Sequence, residues 1–240
     1  MKRVMINNPS VIRSLPTFTH YSASEVFEDP AVLVPAVKAL FARGDLHSGL
    51  SRPRIGIVGS RRASKEALSW AANLGEQSAE RGFVVVSGGA RGVDSEAHHG
   101  ALKAGGMTWW VSGTAVDRVY PAEHKPLLRR ILERGGALVS EIPPGGESRR
   151  HLFRLRNRLI AGLSDTLVVV AAGAKSGTLA TIEYALKQGT PVLVPQLGEL
   201  PETEGIARIR NHPRIRPLSR ENLFTQLSKR RRNCIARGRS

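Results

Sequence analysis

The chain has 240 residues, with 36 Lys+Arg against 20 Asp+Glu, a formal charge of +16 and 41% hydrophobic residues. That size supports one α/β domain with an extensive core, and a balance so basic favours a polyanionic partner. The single cysteine, Cys234, excludes a disulfide framework and a Cys-based zinc site. The apolar run Leu167 to Ala174 is too short to span a bilayer, and Met1 to Pro9 has no apolar signal core. A cytoplasmic protein without membrane association is expected.

The first 50 or so residues are the least patterned. Pro30 and Pro35 interrupt them, and the apolar spacing from Ala36 to Ala42 predicts a short helix. From Arg54 the pattern changes. Arg54 to Gly59 reads as a buried strand ending in glycine. Ala63 to Arg81 has helical spacing through Ala67, Trp70, Ala71, Leu74 and Ala79, stopped by Gly82. Strands are then predicted at Phe83 to Ser87, Met107 to Ser112, Ala137 to Ser140, Thr166 to Val170 and Pro191 to Val194. Helices are predicted between them at Asp94 to Ala104, Ala122 to Arg134, Arg156 to Leu163 and Thr178 to Gln188.

This alternation implies an α/β fold: a doubly wound, mainly parallel sheet of about six or more strands with helices on both faces. The expected division is a lead-in over 1–50 that packs on or extends the core, a doubly wound domain over 51–218, and a basic tail over 219–240. Glu199 to Gly205 reads as loop, Pro213 and Pro217 as breaks, and Ser219 to Asn222 as the cap of a last short helix. The tail beyond carries seven Lys and Arg against one Glu from Arg220 on, so the body remains basic without it.

In such sheets ligands bind outside the carboxyl ends of the strands, so the loops after strands carry the chemistry. Gly59-Ser60-Arg61-Arg62 precedes the first long helix, where unpaired amides and the helix dipole attract an anion and Arg61 can grip a phosphate with two nitrogens. An ordinary turn with solvated arginines fits the same residues. Gly88, Gly89 and Gly92 surround Arg91 after the second strand and permit close approach of backbone to phosphate, or serve only a tight turn. Asp94 at the end of that loop reads as a helix cap before it reads as a catalytic acid.

Arg149, Arg150, Phe153, Arg154, Arg156, Asn157 and Arg158 form a third cluster, with five arginines in ten residues. Cations around an aromatic ring are what a single strand of nucleic acid needs, unless Phe153 belongs to the core. Lys175-Ser176-Gly177-Thr178 follows the fifth strand. Walker A requires Gly directly before Lys and another five residues earlier, where this chain has Ala174 and Val169, so only an anion site at the helix start survives. His98 and His99 are adjacent on a helix and cannot both face one metal. No acyl-transfer triad is present. Trp109-Trp110 lies in a buried strand and reads as core.

Taken in order, these loops resemble the DprA/Smf family of DNA-processing proteins. The matching stretches are Leu40 to Asp45, Ile57 to Ser64, Val86 to Asp94 with Ala97-His98 and Gly100 to Leu102, Gly113 with Asp117 to Pro121, Ser140-Glu141 with Pro143 to Gly145, Phe153 with Arg156 to Asp165, and Lys175 to Leu179. Together they span about 37–195. The resemblance implies a Rossmann-like fold, often dimeric, that binds single-stranded DNA in a basic pocket and helps load the recombinase RecA. It implies DNA contacts for Ser60, Arg61, Gly89, Arg91, Phe153, Arg156, Asn157 and Lys175, and neither a catalytic reaction nor a cofactor.

The chain departs from the family pattern at Arg154, where a proline is usual, and at Glu204 to Ile209, where a Gly-Thr-Asn stretch is usual. The helical and winged-helix domains that many members carry are not expected in it. The rival expectation is a nucleotide sensor or a phosphoribohydrolase of the related LOG type, which Ser176-Gly177-Thr178 faintly resembles. The glutamate that such an enzyme needs falls on Thr181. Glu183 lies two positions on, a turn of about 200° around a helix, and is not placed to substitute.

Overall fold

The computed structural model describes residues 18–219. Cys234, the basic tail from Arg220 on and the short helix expected there lie outside the described residues.

β1 (Phe18–Ser22), α1 (Ala23–Val26), β2 (Ala39–Gly44) and α2 (His47–Leu50) come first. The regular alternation follows: β3 (Arg54–Gly59), α3 (Lys65–Glu80), β4 (Val84–Ser87), α4 (Val93–Lys103), β5 (Thr108–Val111), α5 (Lys125–Glu133) and β6 (Ala137–Ser140). Then come α6 (Leu152–Leu155), α7 (Asn157–Gly162), β7 (Thr166–Ala171), α8 (Gly177–Gln188), β8 (Val192–Pro195), α9 (Glu204–Ile209) and β9 (Ile215–Leu218).

The nine strands of the described residues form one sheet in the order β1-β2-β6-β5-β4-β3-β7-β8-β9. Seven run parallel, from β6 across to β9; β2 pairs antiparallel with β6, and β1 pairs antiparallel with β2. The Rossmann-like doubly wound architecture is therefore present, on a wider sheet than six strands.

Successive strand residues serve opposite faces, as a sheet covered on both sides requires. Val84 and Val86 pack with Leu159, Ile160 and Ile182 of α7 and α8, whereas Val85 packs with Ala71, Leu74 and Ala97 of α3 and α4. Trp110 and Leu138 pack with Leu127, Leu128 and Ile131 of α5. Trp109 and Trp110 are both buried, as expected of core residues.

Three expectations are corrected. The helix predicted from Ala36 to Ala42 is instead the approach to β2, whose Phe41 to Gly44 pair with Ser140 to Ala137. Leu40 and Ala42 are buried while their neighbours are partly exposed, a period of two that neighbouring prolines obscured. Glu199 to Gly205 is not all loop, because α9 starts at Glu204. Pro217 does not end regular structure, because β9 accommodates it. It lies on the last strand of the sheet order, where a proline does not interrupt a central ladder.

Candidate nucleic-acid interface

The strand order fixes where a ligand can enter. From β3 the chain winds through β4, β5 and β6 in one direction, then returns to place β7, β8 and β9 on the other side of β3. The switch point lies between β3 and β7, and the loops after those two strands diverge to leave a crevice. A cavity of about 840 Å³ occupies it, with Gly59 to Arg62 and Lys175 to Ala180 in its walls.

The first wall is the turn between β3 and α3. Ser64 caps α3 by accepting from the Ala67 N–H at 3.2 Å, and the Ser60 hydroxyl accepts from the Arg62 N–H at 3.1 Å. That local order leaves the Arg61 and Arg62 side chains exposed. The second wall is the start of α8. Asn157 is buried and donates to the Gly177 carbonyl at 3.1 Å, which ties that start to α7. The Ser176 hydroxyl at the N-cap is buried without a partner.

The loop after β4 forms the floor. Gly89 has φ +67°, and a Cβ there would stand 1.9 Å from the Trp110 ring, so no other residue fits. Gly92 has φ +82° and lies against the Arg61 backbone, which joins the β4 loop to the β3 loop. Gly92 also occupies the N-cap of α4 without a side-chain cap, so Asp94 is not the expected cap. Its carboxylate lines the cavity, accepts from the Ala90 N–H at 3.4 Å and is 6% exposed. Burial pushes its pKa up, opposed by the charges of Arg156 and Arg61 and by the Ala90 and Gly59 amides.

Arg156 is also buried. Its Nη1 donates to the Gly88 carbonyl at 2.7 Å and to the Val111 carbonyl, while its Nε has no partner. Burial lowers its pKa to about 10, with Asp94 pulling the other way and Arg61 adding to the fall. It remains a cation at neutral pH.

Arg150, Arg154 and Lys175 complete the cationic lining. None of Arg61, Arg62, Arg150, Arg154 and Lys175 forms an ion pair among the described residues, although nine such pairs occur elsewhere. At the rim, Phe153 is partly buried and meets exposed Tyr120 edge to face, with centroids 5.2 Å apart. Phe153 is thus neither solvated nor in the core. Pro121, Gly88 and Arg91 line a smaller annex that shares Arg61, Tyr120, Phe153 and Arg156 with the main cavity.

The structure gathers most of the sequence candidates: Gly59, Ser60, Arg61, Arg62, Phe153, Arg154, Arg156, Asn157, Lys175, Ser176, Gly177 and Thr178 line the main cavity, with Gly88 and Arg91 at the annex. Arg91 is held by Glu123. Gly89 lies beneath, on Trp110. Arg158 is not brought to the site. It is 1% exposed, and its guanidinium is taken by Glu141 and the Pro35 and Leu155 carbonyls. Tyr120, Arg150 and Asp94 were missed as wall residues. Arg150 stood in the basic run, but nothing in the spacing links Tyr120 to a ring 33 positions later. Glu183, read as unable to substitute for the glutamate of a LOG-type enzyme, also lines the cavity, as does Thr181.

A family model described as DNA recombination-mediator protein A matches residues 30–212. The chain belongs to that family. It is similar to Protein Smf of Escherichia coli, 41% identical over 154 residues that cover 64% of this chain and 41% of that one. The chain thus spans less than half the length of that DprA/Smf relative. Its fold matches DNA processing protein A of Helicobacter pylori, studied for its single-stranded DNA binding mode, with TM-score 0.77 and 26% identity over 88% of this chain and 96% of that one. It also matches the DprA structure of Streptococcus pneumoniae, with TM-score 0.73 and 31% identity over 87% and 74% of the two chains. Among the described residues, no helix is long and apolar enough to cross a membrane.

Proposed function

We propose that this chain binds single-stranded DNA in the β3–β7 crevice and serves DNA processing and recombination, handing the strand to a RecA-type recombinase as a homodimer in the cytoplasm. The observation that carries the reading is the set of five unpaired cations around an aromatic rim. Exposed cations converging on one cavity raise its positive potential and draw a polyanion into it. A rim of Phe153 and Tyr120 offers ring faces to bases of any sequence. The Helicobacter pylori relative's single-strand binding supports the same assignment. Binding and positioning of the strand is the whole of the proposed activity, with no covalent step and no cofactor.

Anisotropy of a labelled single-stranded oligonucleotide tests it, with duplex and mononucleotide competitors across a salt series. Tight strand-selective binding that weakens in Arg61→Ala is expected. Equal binding of duplex and single strand, unchanged in Arg61→Ala, overturns it.

Glu183 in the cavity lining favours a second reading, hydrolysis of a nucleoside monophosphate. Thr181 holds the position where the related enzymes carry glutamate, and it is 2% exposed. Release of free base from a nucleoside monophosphate on incubation, abolished in Glu183→Gln, would establish that reading.

A further inference from the structure

Asp94 is out of place in a pocket for phosphates. A carboxylate in the lining repels the backbone of a strand, so whatever lies against Asp94 is not a phosphate. It presents hydrogen-bond donors.

The surroundings of Asp94 narrow the choice. A Cβ on Gly88 would stand 2.6 Å from Asp94 Oδ2 and 2.5 Å from Arg156 Nη1. Only glycine therefore lets the two groups lie side by side against that backbone, and they do not pair directly among the described ion pairs. The Ala90 N–H lies at 3.4 Å, a long contact, and the Gly59 amide is the other backbone donor; a carboxylate with about four acceptor sites keeps capacity to spare. Arg156 Nε is buried with no acceptor. Both residues line the cavity, and Arg156, Phe153 and Tyr120 line its annex as well. An acceptor and a donor side by side, next to a pair of rings, match the edge of a base turned out of the stack.

We propose that Asp94 and Arg156 form a base-edge subsite, within the single-strand reading given above, and that it favours guanine. Guanine offers N1–H and N2–H to the two carboxylate oxygens and its O6 to the guanidinium. Hypoxanthine offers one N–H fewer, and an abasic residue none. Phosphates on either side lie with Arg61, Arg62, Arg154 and Lys175.

The test uses the full chain and strands of abasic residues that carry one central base. Guanine is expected to bind about tenfold more tightly than hypoxanthine, in line with the discrimination one bidentate contact provides, and the abasic strand most weakly. Asp94→Asn is expected to erase the guanine–hypoxanthine difference. Equal affinity of the wild type for guanine and hypoxanthine overturns the proposal, and so does a tenfold guanine preference retained in Asp94→Asn. If that variant does not fold, the wild-type comparison decides alone. Failure to bind any strand overturns the single-strand reading, and this one with it. Binding of the abasic strand as tightly as the guanine strand overturns the subsite and leaves the phosphate groove standing.

Discussion

Arg158 lies flat against Glu141, with Nη1 and Nη2 each 2.6 Å from a carboxylate oxygen, although it stands only two residues beyond the cavity-lining Arg156. The Arg158 side chain is 2% exposed and that of Glu141 24%. Removing one partner of such a pair strands the other's charge. Arg158→Ala is therefore expected to lower stability by about 2–4 kcal/mol in urea unfolding. Arg154→Ala, from the exposed end of the same run, should leave the unfolding midpoint unchanged and weaken strand binding. Equal midpoints for both variants would refute the division.

That contrast marks how far the sequence could be read. The alternation from Arg54 to Pro195 was legible because each parallel strand is buried on both faces and each helix has one apolar stripe. β1, β2 and β9 were not, because they are short strands at or near the ends of the sheet order: β1 carries polar residues, β2 follows Pro30 and Pro35, and β9 contains Pro217, all of which also read as loop. The charges of Arg154, Arg156 and Arg158 were equally visible. Which one faces solvent, which the cavity floor and which Glu141 depends on the turn between α6 and α7, and charge alone does not report it. Asp94 read first as a cap, because the Arg156 charge that faces the same cavity lies 62 positions away in the chain.

The unpaired cations give a salt-dependent signature. Each phosphate neutralised on a single strand contributes about 0.7 to the slope of log affinity against log salt. Arg61→Ala and Lys175→Ala are each expected to flatten the slope by about that amount, with thermal unfolding unchanged. Arg91→Ala should flatten it less, because Arg91 is shared with Glu123. A slope identical to the wild type in both Arg61→Ala and Lys175→Ala would place the phosphates elsewhere.

The aromatic rim should act independently of salt. Base stacking on a ring contributes about 1–3 kcal/mol per base, so Phe153→Ala is expected to weaken binding by at least about fivefold with the slope intact. Tyr120→Ala should do less harm to the fold, because Tyr120 is 57% exposed, whereas Phe153 lies against Gly113. Phe153→Leu separates the two roles: it restores packing but not stacking. Wild-type affinity in Phe153→Leu would assign the ring to packing alone.

His98 makes stability depend on pH. It is fully buried, its Nδ1–H donates to the Thr108 hydroxyl at 2.7 Å, and that hydroxyl donates to the Val85 carbonyl at 2.7 Å. Burial, reinforced by the positive charges of His99, His124 and Arg156, lowers its pKa from 6.5 to about 3. The folded ring therefore stays neutral where the unfolded ring takes a proton. Between those two values the unfolded chain binds one more proton, so stability is complete above pH 6.5 and falls as the pH drops. The slope for one proton is about 1.4 kcal/mol per pH unit. Urea unfolding from pH 7 to pH 4 should show a steeper loss in the wild type than in His98→Leu, by up to that amount. The variant begins less stable, having lost the hydrogen bond to Thr108, so the two curves should converge toward acid. Parallel curves would mean that His98 is protonated in the fold and that its ring nitrogens have partners other than Thr108.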